Sequence, residues 1–140
     1  MPPRKRLKEL GRRESGGYLG LPHAVLKSPN YALLSSHAVK LLVDLGSQYR
    51  GKNNGDLCAT WSILQPLGWR SRETLGISIK ELLYYGFLEK TRQGGKRQCS
   101  LYALTWQPID ECMGKLDVNP SFIASALWKE PKPQFERTRN

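Results

Sequence analysis

Basic side chains are the chemistry this sequence offers most plainly. They fall in three clusters: Arg4, Lys5, Arg6, Lys8, Arg12 and Arg13 in the first, Arg70 and Arg72 in the second, Lys90, Arg92, Lys96 and Arg97 in the third. Grouped cations of this kind attract polyanions, and arginine's planar fork can also bond the two acceptors of a guanine edge. The formal net charge is +10 over 140 residues, so nucleic acid is the first partner to consider. A membrane surface would draw the same clusters. However, the chain has no amphipathic basic helix of the interfacial kind, and no apolar run near the roughly 20 residues a span requires.

Covalent and metal chemistry finds less material. Gly46 to Asn53 comes within one residue of a phosphate-loop pattern. Asn53 stands where a hydroxyl should hold magnesium, and the segment ends a helix instead of opening one. His23 and His37 are the only histidines, too far apart in sequence for a metal pair. Asp110 and Glu111 are neighbours that diverge in any regular element, so they read as surface charges. Tyr84-Tyr85 lacks the arginine and histidine that a strand-transfer tyrosine needs, which favours packing at a helix end. Cys58, Cys99 and Cys112 are odd in number and widely spaced, and read as reduced thiols. No nucleophile, base and charge stabiliser occur together. The expectation is a non-enzymatic protein with no catalytic residue, no metal and no cofactor.

The second and third basic clusters lie in the stretch from Thr60 to Trp106, whose periodicity changes twice. Trp61 and Leu64 begin a short helical segment that Pro66 should keep short and Leu67-Gly68 should end. Ser71 is a suitable cap for a longer helix. There Leu75, Ile79, Leu82 and Leu83 share a face, while Arg72, Glu73, Ile77, Lys80 and Glu81 point elsewhere. Gly86 closes it. The period then drops toward two through Phe87, Leu88, Lys90 and Arg92. A Gly94-Gly95 turn follows, and Cys99 to Trp106 returns as the second strand of a basic hairpin. Upstream, Ser35 or Ser36 caps a helix carrying Ala38, Leu41, Leu42, Leu45 and Tyr49, which should stop by Gly51. Leu57-Cys58 can add a short strand.

Helix, turn, helix and basic hairpin, in that order, resemble the winged-helix family of DNA-binding domains. The matching positions are Ser71-Arg72 at the start of the recognition helix, Ile79 and Leu82 within it, Gly86-Phe87-Leu88 at its close, and the hairpin after. The resemblance implies an α+β fold, a winged helix-turn-helix with a three-helix core and a C-terminal β-hairpin wing. It also implies that helix 71–85 enters a major groove while wing 89–98 rests on backbone or minor groove. Arg70, Ser71, Arg72, Thr74 and Lys80 would then face DNA from the helix, and Arg92, Gln93, Lys96 and Arg97 from the wing. Gly76 stands where many regulators of the GntR type carry a second arginine, so the family's base-contact set does not carry over whole. The lead-in from Leu21 to Leu45 is loosely similar to that of phage and plasmid replication-initiation proteins and of small mobile-element regulators.

The flanks differ in composition. Residues 1–17 are basic, end in Ser15-Gly16-Gly17, and read as a flexible arm; residues 18–106 form the expected domain. Residues 107–140 are proline-rich and read as a tail with one short helix, in which Asn119 caps and Pro120 leads. Its residues from 130 onward offer little apolar surface and should be separable from the fold. The expected partner is double-stranded DNA, for a transcriptional regulator or a replication-origin-binding protein. A protein partner on the tail and a homodimer both stay open. The other function class is a winged-helix module that binds protein through the same helix, favoured by Gly76 and an exposed Ile77. The expected setting is cytoplasmic and bacterial in type, without membrane contact.

Overall fold

Ser35 and Ser71 start the two long helices in the same way. Each sits in extended backbone and turns its Oγ onto the amide three residues ahead, Ala38 and Thr74, at 3.1 Å in both cases. Each thereby satisfies one orphan N–H of a first helical turn. The computed structural model describes residues 16–137, so the arm cluster from Arg4 to Arg13 lies outside the described residues. Within them the chain is α+β. Its five α-helices are α1 (His23–Leu26), α2 (Pro29–Ala32), α3 (Ser36–Gly46), α4 (Trp61–Leu64) and α5 (Arg72–Tyr84). Strands β1 (Leu57–Cys58), β2 (Leu88–Arg92) and β3 (Leu101–Leu104) form one antiparallel sheet in the order β1-β3-β2.

The apolar periods land where burial puts them. Ala38, Leu41, Leu42 and Leu45 of α3 face Leu75 and Leu82 of α5, and Leu57, Leu88, Tyr102 and Leu104 complete the core from the sheet. Tyr49 lies beyond the end of α3 at Gly46. As Pro66 requires, α4 is one turn long and passes into a 3₁₀ turn over Gln65–Leu67. Helix α5 closes in a Schellman motif, with Phe87 N–H on Leu82 O (3.0 Å) and Gly86 N–H on Leu83 O (3.2 Å). Gly86 has φ +83°, and a Cβ there would stand 2.5 Å from Leu127 O, so both backbone and space demand glycine.

Several features differ from expectation. Glu81, expected to point away from the core, is 1% exposed; its carboxylate accepts from Ser35 N–H (2.7 Å) and Ser35 Oγ (2.9 Å) at the start of α3. The hairpin turn is not at Gly94-Gly95. Gly95 and Gln98 pair across the ribbon, leaving Lys96 and Arg97 as its tip. An irregularity between Lys90 and Arg92 releases Thr91 from the register and turns its hydroxyl inward onto Gly55 O (2.6 Å).

The C-terminal segment differs as well. No helix starts at Asn119; Phe122 and Ile123 stay exposed, and only a 3₁₀ turn forms at Leu127–Lys129. A proline start and three spaced apolar residues do not hold a helix whose face has nothing to pack on. The segment is nevertheless bound along its length. Buried Asn54 donates to Leu104, Gln107 and Pro108 carbonyls (2.9, 3.1 and 2.9 Å), and the Asp110 carboxylate, expected as a surface charge, accepts from Asn54 N–H at 2.8 Å. Buried Asn30 donates to Trp128 O (3.1 Å) and Glu130 O (2.7 Å) and accepts from Lys132 N–H (3.0 Å). Tyr84 Oη donates to Pro133 O (2.8 Å), Phe135 N–H donates to Tyr85 Oη (2.7 Å), and Arg137 Nε reaches Glu81 Oε1 at 3.3 Å. Packing therefore continues well past residue 106, and residues 130–137, expected to stand apart from the fold, are bonded to it.

Two outcomes follow for unfolding measured in denaturant. Glu81→Ala removes the side-chain acceptor on Ser35 N–H and should cost about 2 to 4 kcal/mol, whereas an exposed glutamate would cost under about 0.5. Ending the chain after Glu130 strips Phe135, the bonds of the Tyr84 and Tyr85 hydroxyls and the Lys132 N–H bond to Asn30, and should cost about 3 kcal/mol. An unchanged midpoint would show that the segment contributes nothing.

Candidate nucleic-acid interface

The first end of α5 is held from three sides. Gly68 (φ +103°) ends the 3₁₀ turn, and Trp69 then drops into the core with Nε1 donating to Asp44 Oδ2 at 2.8 Å. The same carboxylate oxygen takes Lys40 Nζ at 2.9 Å, and Lys40 also donates to Leu67 O at 2.9 Å. Helix α3 thus fixes the turn, and the turn fixes Ser71. Arg70, Ser71 and Arg72 are exposed; Thr74 is half-buried. The Arg72 guanidinium lies 5.4 Å from the centre of the Trp61 ring, which restrains it over α4 without using up its donors. Ser71 Oγ is engaged as an acceptor in the cap, leaving its hydroxyl proton to donate.

Two side chains that no motif singled out join this group. His37 and Lys40 of α3 line a cleft of about 420 Å³ together with Gly68, Trp69, Arg70, Ser71 and Thr74. Their only sequence signal was a polar position on the helix that also carries the core stripe, which any solvated helix shows. Beyond this end, the face of α5 opposite the buried Leu75, Ser78, Glu81 and Leu82 carries Glu73, Gly76, Ile77 and Lys80. Lys80 is exposed two turns from the cap, and Ile77, expected to be exposed, is half-buried. Among the described residues, a Cβ on Gly76 would meet no atom within 4 Å beyond its own helix turn, so none of them calls for glycine there.

The hairpin separates its four predicted residues into root and tip. At the root, Arg92 is half-buried, and its Nε and Nη2 both donate to Cys99 O (3.2 and 2.9 Å). Those donors brace the ribbon across its width. Gln93 is exposed, with its backbone N–H on Asp117 Oδ2 at 3.0 Å and its Oε1 accepting from Lys90 Nζ at 3.2 Å. Lys96 and Arg97 alone form the exposed tip, and Arg97 holds a left-handed φ of +64°. The nine residues therefore fall in two places. Arg70 and Ser71 lead into α5, and Arg72, Thr74 and Lys80 lie on it; Lys96 and Arg97 project from the ribbon that Arg92 and Gln93 anchor.

Comparison with protein-family models, with curated proteins and with solved structures gives no match. What the surface can do rests on its own chemistry. It presents guanidinium and ammonium groups, a helix N-terminus and a hydroxyl, a set that bonds anionic oxygens and base-edge acceptors. Among the described residues no group of three or more histidine, cysteine, aspartate or glutamate side chains is placed to hold a metal ion, and no helix is long and apolar enough to cross a membrane.

Acids at the hairpin root are shifted in one direction. Burial pushes the Cys99 thiol up, and the hydrogen bond and charge of Cys58 add to that, while Arg92 opposes it. Burial likewise raises Tyr102, with a bond to Ser100 acting the other way. An acid whose folded pKa is raised binds its proton longer in the folded state. The associated stability is complete below the ordinary values of 9.0 and 10.0 and is lost as pH rises through the raised ones. The urea midpoint should accordingly fall from pH 9.0 upward, and Tyr102→Phe should flatten that fall. At the tip, Arg97→Gly relieves a left-handed backbone and should hold stability or raise it by up to about 1 kcal/mol. That variant removes a cation without weakening the fold.

Proposed function

We propose that this chain is a winged helix-turn-helix protein that binds duplex DNA without catalysing a reaction, with α5 in the major groove and the hairpin on adjacent backbone or minor groove. The observation that carries this is the pairing of an exposed Arg70-Ser71-Arg72 start of α5 with a ribbon whose tip is Lys96-Arg97. The order of α4, turn, α5 and ribbon agrees with the winged-helix resemblance. Arg72 is restrained over Trp61 with its donors available, which suits bidentate bonding to a guanine edge. The Lys96-Arg97 tip suits phosphate, and Arg92 acts through the ribbon's shape. Lys40 and His37 beside the helix start supply further donors to a phosphate seated there. Gly76 gives α5 an outward point where a base pair or backbone can approach closely. Transcriptional regulation and binding at a replication origin would both use this surface.

Docking of a protein on the outward face of α5 finds less support, because Ile77 is half-buried and its neighbours Glu73 and Lys80 are charged. Duplex binding measured across a salt series separates the two functions. If about five phosphates are neutralised, log K should fall with a slope near −4.5 against log salt, several hundredfold between about 50 and 200 mM. Replacing Lys96 and Arg97 by alanine should weaken all duplexes alike and flatten that slope by about 2. Arg72→Lys should keep most non-specific affinity and relax one base position by about 1 to 3 kcal/mol. Gly76→Ala should stabilise the fold by about 0.5 to 1 kcal/mol while weakening DNA binding. An affinity that hardly moves with salt would remove the DNA proposal.

A further inference from the structure

Cysteines 58 and 99 are 41 residues apart in sequence, yet their Sγ atoms stand 2.8 Å apart at the hairpin root. Strand pairing brings them together. Cys58 ends β1 opposite Leu101, and Cys99 lies two residues before Leu101 on the incoming chain. Both backbones are clamped: Gln48 Nε2 donates to Cys58 O (2.8 Å) and Gln48 Oε1 accepts from Cys58 N–H (2.9 Å), while the Arg92 fork holds Cys99 O. Both thiols are half-buried, so a small reagent can reach them. Closing to an S–S bond of about 2.05 Å needs a sulfur movement under about 1 Å. Cys112 is engaged elsewhere, with Sγ on Asn54 O at 3.6 Å. The pair has no third ligand for a metal among the described residues, and that leaves two-electron thiol chemistry.

We propose that Cys58 and Cys99 are a reversible oxidation site, closing to a disulfide by exchange with a small-molecule disulfide and so tying the hairpin root to β1. In the first step one protein thiolate attacks the reagent's S–S bond, forming a mixed disulfide and releasing one thiolate. In the second, the other protein thiolate attacks the protein sulfur of that mixed disulfide and releases the second. Two protein thiols are oxidised, one small disulfide is reduced to two thiols, and the two protons pass to the released thiolates. The product holds β1 and residue 99 together covalently, so the outer ribbon, residues 93–98, pivots on a fixed base. A dithiol reverses the reaction.

The test uses the full chain and glutathione disulfide. The intact mass should fall by about 2 Da, peptide mapping should find Cys58 joined to Cys99, and Tm should rise by roughly 10 °C and return with dithiothreitol. Cys112→Ser should close as the parent does. Cys58→Ser and Cys99→Ser should each stop at the glutathione adduct. The same reaction in concentrated urea should give far less closure at an equal glutathione ratio, because only the fold brings the sulfurs together. The proposal is overturned if the folded parent gathers adducts without closing, if the bond found involves Cys112, or if urea leaves the extent of closure unchanged. Parent mapping alone decides the matter even where a serine variant fails to fold.

Discussion

The carboxylate of Glu81, buried between α5 and the start of α3, is the contact on which the arrangement of the two long helices depends. A capping box normally places the glutamate three residues after the capping serine, where it reaches back to the cap's own N–H. In α3 that position is Ala38, which cannot do so. Glu81 of α5 supplies the missing acceptor from 46 residues away, and Ser35 Oγ at once donates to Glu81 and accepts from Ala38 N–H. The negative charge sits at the positive end of the α3 dipole, and Arg137 approaches it from the last described turn of chain. Burial of a charge is tolerated because each oxygen is bonded. One side chain thereby fixes where α5 lies along α3, a relation that apolar contacts alone would leave free to slide.

Two buried asparagines do for the C-terminal segment what Glu81 does for the helices. Asn54 joins the end of the β1 approach to the chain leaving β3, and Asn30 joins α2 to the strap that follows Trp128. Each replaces backbone partners that the irregular segments cannot give one another, and each satisfies itself in doing so. Gly86 belongs to the same device, since the strap passes so close to its Cα that any side chain would push Leu127 away. The helix end, the sheet and the strap are therefore one packed unit.

This frame decides what the basic residues can do. Asp44 positions both Trp69 and Lys40, and so sets the turn from which Arg70 and Arg72 project. Arg92 spends its fork on the ribbon, leaving Lys96 and Arg97 exposed at its tip. Charge alone does not distinguish these roles. Hydrogen-bond geometry does.

By itself the sequence determined the elements whose causes are local. Ser35 and Ser71 cap because a short polar side chain can reach three residues ahead; Pro66 shortens α4 because it lacks an N–H; Gly86 ends α5 because it accepts a positive φ. Apolar residues at helical spacing in α3 and α5 marked the core correctly for the same reason. The clustering of Arg70, Arg72, Lys96 and Arg97 was equally legible, since it is composition read in order. Only tertiary structure could bury Glu81, because its partner lies in another helix, or bring Cys58 to Cys99, because strand pairing spans 41 residues. It also bound a proline-rich segment through Asn30, Asn54, Tyr84 and Tyr85, whose amides and hydroxyls look like surface chemistry until the chain folds over them. Local rules assign a residue its backbone; which polar groups are removed from water, and onto which partner, depends on segments distant in sequence.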